Sequence, residues 1–212
     1  MKKNITNIIE LLKQEYPEAT CSLDFTSPWE MAIAVVLSAQ CTDERVNKIT
    51  PNIFAKYKTP KDFNNMDIKE LEGLIYSCGF YKNKAKNIKM LAKEVEEKYN
   101  GKLPDNIDEL VDLPGIGRKS ANVIMLEAFN KPVGIAVDTH AKRVSNRIGL
   151  SNEKEPIKIE QDLLKIVPKK YLKDVNHLFV FHGRKLCKAK SPTCDACPIN
   201  KYCNYFKKGN VW

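Results

Sequence analysis

Leu113-Pro114-Gly115-Ile116-Gly117-Arg118-Lys119-Ser120-Ala121 is the stretch on which the fold turns. It reads as a helix ending at Leu113, a four-residue turn with two glycines, and a new helix through Val123, Ile124, Leu126 and Phe129. Gly115 and Gly117 admit positive φ and put no Cβ in the way, so a phosphate can approach the N–H groups of the turn. Those groups also open a helix, whose positive end favours an anion. The stretch is suited to gripping a phosphodiester backbone without reading bases. A plain turn between helices is the alternative, and a lone Gly-x-Gly would not displace it.

The helical period continues on both sides. Ile5, Ile8, Ile9 and Leu12 mark one face of a first helix that stops before Pro17. Ser27-Pro28 is a cap with a first-turn proline, and Met31 to Leu37 follows as a buried helix. Asp67 with Glu70 opens a helix reaching Tyr76, and Asp105 with Asp108 repeats that start before Leu110. Lys82 to Tyr99 is amphipathic, with Ile88, Leu91 and Val95 opposite lysines. Asp138 opens a further helix, and Val175 to Phe181 belongs to a late buried one. No segment alternates with period two, so the fold class is all-α. No Gly/Ser linker separates domains, so a second domain must pack closely on the first.

Two further constellations carry chemistry. Lys119 lies in the first turn of the hairpin's second helix, where the positive dipole end and Arg118 both disfavour its charged form. A lysine able to lose its proton can form a Schiff base with a sugar C1′. Asp138, in Ala136-Val137-Asp138-Thr139-His140, is a helix N-cap that can stabilise oxocarbenium-like charge. The stretch from Ser120 to Val137 is long enough to turn the chain back, so that both residues face one cleft. Taken singly, each residue is ordinary: a solvated lysine and a capping aspartate.

The other constellation is Cys187-x6-Cys194-x2-Cys197-x5-Cys203, four thiols within 17 residues and no interleaved histidine. Such crowding points to a metal site. Structural zinc on four thiolates usually uses two C-x2-C pairs, and only one pair here is so spaced. The wide gaps suit a loop wrapped around a larger cubane cluster. Within the first gap, Lys188-Ala189-Lys190-Ser191-Pro192 is a basic loop able to lie on phosphates.

Lys and Arg total 35 against 26 Asp and Glu, a net charge of +9 that favours polyanionic partners. The amino terminus has no apolar core of a secretory signal. Met31 to Ala39, the longest apolar stretch, is interrupted by Ser38 and far short of the ~20 residues of a membrane span. The expected location is the cytoplasm, where seven cysteines are not a disulfide framework.

In this order, the hairpin, the Lys119–Asp138 pair and the cysteine loop resemble the endonuclease III family of the helix-hairpin-helix DNA glycosylase superfamily. The resemblance runs from Pro28 to Cys203. It implies a six-helix barrel domain bearing the hairpin over residues 22–131. A second helical domain, from residues 1–21 and 132–212, would hold a 4Fe-4S cluster on Cys187, Cys194, Cys197 and Cys203, with the active-site cleft between the two. The implied activity is bifunctional: oxidised pyrimidines are released from duplex DNA, and the abasic strand is cut by β-elimination through a Lys119 Schiff base with Asp138 as the catalytic carboxylate. Leu37-Ser38-Ala39-Gln40 matches the loop whose glutamine fills the gap left by the extruded base, and Gly79-Phe80-Tyr81 the loop supplying an apolar wedge. Flipping a base out requires such parts. The implied DNA contacts are Gln40, Phe80, Gly115, Gly117, Arg118, His140 and Lys190. The partner would be double-stranded DNA with a damaged base or abasic site, bound by a nucleoid-associated monomer with no membrane.

Two positions depart from the family pattern. Cys41 replaces a small non-thiol residue beside Gln40, and Phe80 stands where a smaller aliphatic wedge is usual. A mismatch glycosylase of the same superfamily and a non-catalytic iron-sulfur DNA-binding protein are the alternatives. Lys119 disfavours adenine-removing members, which usually lack it, and pure binding needs neither Lys119 nor Asp138.

Overall fold

The computed structural model describes residues 2–209. Among the described residues there are twelve α-helices, two short 3-10 turns and no strand, so the fold is all-α. The first helix is α1 (Lys2–Glu15). It is followed by α2 (Pro28–Ser38), α3 (Asp43–Lys56), α4 (Pro60–Asn65), α5 (Ile68–Leu74), α6 (Tyr81–Tyr99), α7 (Ile107–Asp112) and α8 (Arg118–Glu127). Then come α9 (Thr139–Ile148), α10 (Pro156–Ile166), α11 (Leu172–Lys185) and α12 (Asn204–Lys207). The chain divides into two compact units. One is Ser22–Lys131, and the other joins the segment up to Cys21 with that from Pro132 onward.

Helix starts follow the capping residues. The Ser27 side chain accepts the Glu30 N–H with Pro28 in the first turn, Asp67 accepts from Lys69 and Glu70, and Asp138 accepts from Ala141. Three boundaries differ from the sequence reading. The cap of α7 is Asn106, which accepts from Asp108 and Glu109, while Asp105 is drawn 2.5 Å from Lys131 instead. α5 stops at Leu74, short of Tyr76, with Ile75 as its cap. α8 ends at Glu127, before Phe129, because Asn130 turns left-handed (φ 51°) and the Lys131 N–H returns to the Met125 carbonyl at 2.8 Å.

In the Ser22–Lys131 unit, α2 is the axle. Every residue from Trp29 to Leu37 is buried, and α3, α6 and α8 pack around it. An apolar surface on all sides is what a helix needs to sit inside a core. α6 buries Ala85, Ile88, Leu91, Ala92 and Val95 and turns most of its lysines outward. Lys89 is used differently. Its ammonium donates to the carbonyls of Phe63, Asn64 and Met66 at 3.1, 2.6 and 2.6 Å, satisfying the end of α4.

The other unit is built on α1, α9, α10 and α11. Ile5, Ile8, Ile9 and Leu12 of α1 are buried in one core with residues such as Val144, Leu163 and Phe179. α9 and α11 approach closely at Gly183, where an added Cβ would lie 2.8 Å from the His140 Cβ. Glycine is needed there for packing, since the contact is with a Cβ that cannot swing away.

Candidate active site

The hairpin forms as a tight link between α7 and α8. Leu113 and Ile116 are buried, and the Ile116 N–H closes onto the Leu113 carbonyl at 3.1 Å. Gly115 takes φ +81°, and a Cβ there would also press to 3.1 Å from the Asn87 Cβ of α6. Gly117 does not use the positive φ that the sequence suggested. It is extended, φ −94° and ψ 175°, as the N-cap of α8. Its value is bareness: nothing of the protein lies within 4 Å of where its Cβ would be. No side chain caps α8, so its first turn keeps N–H groups without intrahelical acceptors. Lys119 stands exposed in that turn, and Arg118 lies 4.0 Å from the largely exposed Asp108.

Two loop residues of the same unit share an unusual backbone. Gln40, just past α2, has φ 52°, and Phe80, at the start of α6, has φ 57°. Left-handed backbone costs a non-glycine residue about 1–3 kcal/mol, so the surroundings must hold it. Both side chains are exposed, Phe80 by 66%. Phe80 is therefore not a core aromatic. Beside it Tyr76, 68% exposed, packs against Tyr81 with ring centroids 4.9 Å apart. The sequence reading took Tyr76 only as the end of a helix.

In the other unit, Asp138 is delivered by a pinned segment. The Asn176 side-chain oxygen accepts the Ala136 N–H at 2.7 Å, and its nitrogen donates to the carbonyls of Gly134 and Leu172 at 3.1 and 2.8 Å. Asp138 then accepts the Ala141 N–H on Oδ1 at 2.7 Å, which leaves Oδ2 for other work. His140 is half-buried, and its Nδ1 accepts from Arg143 Nη2 at 3.1 Å. Arg143 also donates to the Gly183 carbonyl at 2.8 Å and the Cys187 carbonyl at 2.9 Å, binding α9 to α11 and to the cysteine loop.

Cys187, Cys194, Cys197 and Cys203 line one cavity together with Arg147 and His182. Among the described residues, no three His, Cys, Asp or Glu donors converge as they would around one ion. Arg147 organises the pocket. Its guanidinium donates to Cys187 Sγ at 3.5 Å and to the Lys188 and Ala189 carbonyls at 2.7 and 3.0 Å and lies 4.5 Å from the Tyr205 ring centroid, while its backbone carbonyl accepts from Cys203 Sγ at 3.3 Å. With the loop's carbonyls turned to Arg147, the Lys188 and Lys190 side chains remain exposed. His182 sits between Tyr16 Oη, 3.0 Å from Nδ1, and Cys197 Sγ, 3.6 Å from Nε2. Burial holds His182 neutral, its pKa lowered to about 4, and burial likewise raises that of Tyr16. Tyr16 thus donates to Nδ1, and the proton on Nε2 points at the sulfur. Burial, then the charge of the neighbouring cysteines, pushes the Cys194 thiol up, and the same causes push Cys197 to about 11. Four thiolates would not stay ionised here without a positive centre between them. Arg143 and Arg147, one turn apart on α9, extend a stripe begun by His140; the sequence reading singled out His140 and not the two arginines.

Residues 33–169 match the HhH-GPD superfamily base excision DNA repair protein family. The chain is 44% identical to endonuclease III of Synechocystis sp. over 95% of this chain and 92% of that one. It is 39% identical to endonuclease III of Escherichia coli, over 96% of each. Among solved structures it resembles a trapped endonuclease III–DNA covalent intermediate at 44% identity, with a TM-score of 0.92 and 99% of each chain covered.

Proposed function

Because this chain belongs to the HhH-GPD superfamily of base excision DNA repair proteins, we propose that it is a bifunctional DNA glycosylase and abasic-site lyase that removes oxidised pyrimidines. The observation that carries the reading is the exposed Lys119 on an uncapped hairpin helix, two residues beyond the phosphate-accessible Gly117. Its Nζ attacks C1′ of the damaged nucleotide, and the C1′–base bond breaks with its electron pair leaving on the base. The C1′–O4′ bond then opens with its electron pair on the ring oxygen, which takes up the proton that the nitrogen loses, and the imine so formed acidifies the C2′ proton. Loss of that proton and of the 3′ phosphate cuts the strand, and water then hydrolyses the imine. Asp138, with Oδ2 free of the cap, supplies negative charge where the sugar becomes positive.

Gly115, Gly117 and Arg118 hold the backbone, with His140 and the exposed Lys190 as further contacts to the duplex. Gln40 and Phe80 enter the stack from their loops. The four cysteines fit a 4Fe-4S cluster: they share one cavity, and N–H donors reach two of the sulfurs. When bound, such a cluster supplies a covalent clip for the loop that bears Lys190. No helix among the described residues is long and apolar enough to cross a membrane. We place the protein, as a monomer, in the cytoplasm with the chromosome.

A duplex with one thymine glycol tests the reading. Base release and cutting 3′ to the lesion should rise together. Base release followed by an intact abasic strand would make water the nucleophile and the enzyme monofunctional.

A further inference from the structure

Lys84 is only 5% exposed, yet it carries an ammonium group on the first turn of α6. Its Nζ donates to the Leu37 carbonyl at 2.8 Å and to the Cys78 carbonyl at 3.5 Å. Leu37 lies three residues before Gln40, and Cys78 two residues before Phe80. The Lys84 N–H also returns to the Phe80 carbonyl at 3.1 Å. Filling the core at this point needs only an aliphatic chain. Burying an ammonium is costly unless directed bonds offset it, and the bonds here run to the two loops whose tips are left-handed.

We propose that Lys84 is a positioning residue for base extrusion: its ammonium joins the loop carrying Gln40 to the loop carrying Phe80 and sets the spacing at which both side chains enter the duplex. The proposal rests on the gap-filling reading of Gln40 and Phe80. A misplaced pair of inserting side chains slows extrusion of a stacked base and leaves the sugar chemistry of Lys119 intact. Displacements near 1 Å cost on the order of 10²-fold in such assemblies.

The test compares Lys84→Met, Lys84→Gln and Lys84→Arg on two duplexes, one with a paired thymine glycol and one with a preformed abasic site, which has no base to extrude. Lys84→Met should fold, bind undamaged duplex normally and cut the abasic strand within a fewfold of the unaltered enzyme. Release of the paired lesion should fall by roughly 10- to 100-fold, and the fluorescence rise of a 2-aminopurine beside the lesion should shrink with it. Lys84→Arg, which keeps charge and donors, should recover part of both. Equal loss on the two duplexes, or no loss on either, overturns the proposal. So does failure of both Lys84→Met and Lys84→Gln to fold, which would make the lysine a core support. Gln40→Ala combined with Phe80→Ala is the separate control. Normal base release by that protein sinks the gap-filling reading itself, whereas slow release there with a normal Lys84→Met sinks only the positioning role.

Discussion

Asn176 of α11 holds the Ala136 N–H at 2.7 Å, two residues before Asp138, and so fixes the approach of the carboxylate to its helix cap. Asn176→Leu would leave the buried Ala136 N–H and Gly134 carbonyl unpaired. At about 1–3 kcal/mol per group, stability should fall by roughly 2–6 kcal/mol in denaturant titration. Base release should slow as Asp138 loses its placement. Asp138→Asn is the contrasting change: asparagine caps equally well, so stability should hold while base release drops on the order of 10²–10³. Normal kinetics in a destabilised Asn176→Leu protein would confine this contact to folding.

Gly117 offers a separation of grip from fold. Its extended backbone suits a β-branched residue, and no protein atom obstructs a Cβ there. Gly117→Val should melt as the unaltered protein does, yet lose affinity for damaged and undamaged duplex alike, on the order of tenfold for one or two charge-assisted bonds. Retained non-specific affinity with lost discrimination would remove the hairpin from phosphate binding.

Purified protein should contain iron and acid-labile sulfide. Cys197→Ser, at the sulfur facing His182, should lower both and destabilise the unit built on α1, α9, α10 and α11. Stoichiometric zinc without iron in anaerobically prepared protein contradicts the cluster assignment.

The α4 cap gives a pH signature. Asp62 accepts the Lys58 and Thr59 N–H groups at 2.9 Å each, and these backbone bonds, Thr59 first, hold its pKa below the usual 3.8. The group's folded pKa is depressed, so its stabilisation is present above 3.8 and is lost as pH falls through the folded value. Asp62→Asn should therefore be less stable than the unaltered protein near neutrality, with the gap closing only below 3.8 in acid titrations. A gap independent of pH would show that charge plays no part in the cap.

The helices, most of their caps and the hairpin were legible in the sequence because they rest on local rules. Ser27, Asp67 and Asp138 cap where capping chemistry places them. What was illegible depends on distant neighbours. Asp105 looked like a cap until Lys131, 26 residues on, drew it away. Lys84 and Arg147 read as two lysine-and-arginine surface positions among 35, and only tertiary contact shows one tying two loops and the other shaping the cysteine pocket. Gly117 was expected to use a positive φ and is extended instead, since bareness and positive φ leave the same mark in a sequence.

Borohydride trapping of the enzyme on duplex DNA containing thymine glycol tests the central claim most directly, because reduction would capture the proposed imine between Lys119 and C1′. Lys119→Gln keeps length and polarity without a nucleophilic amine. It should abolish the trapped complex and sharply reduce both base release and nicking, while binding to undamaged duplex persists. A Lys119→Gln protein that still yields the trapped complex at the normal rate would show that another amine attacks the sugar, and the assignment of Lys119 would be wrong.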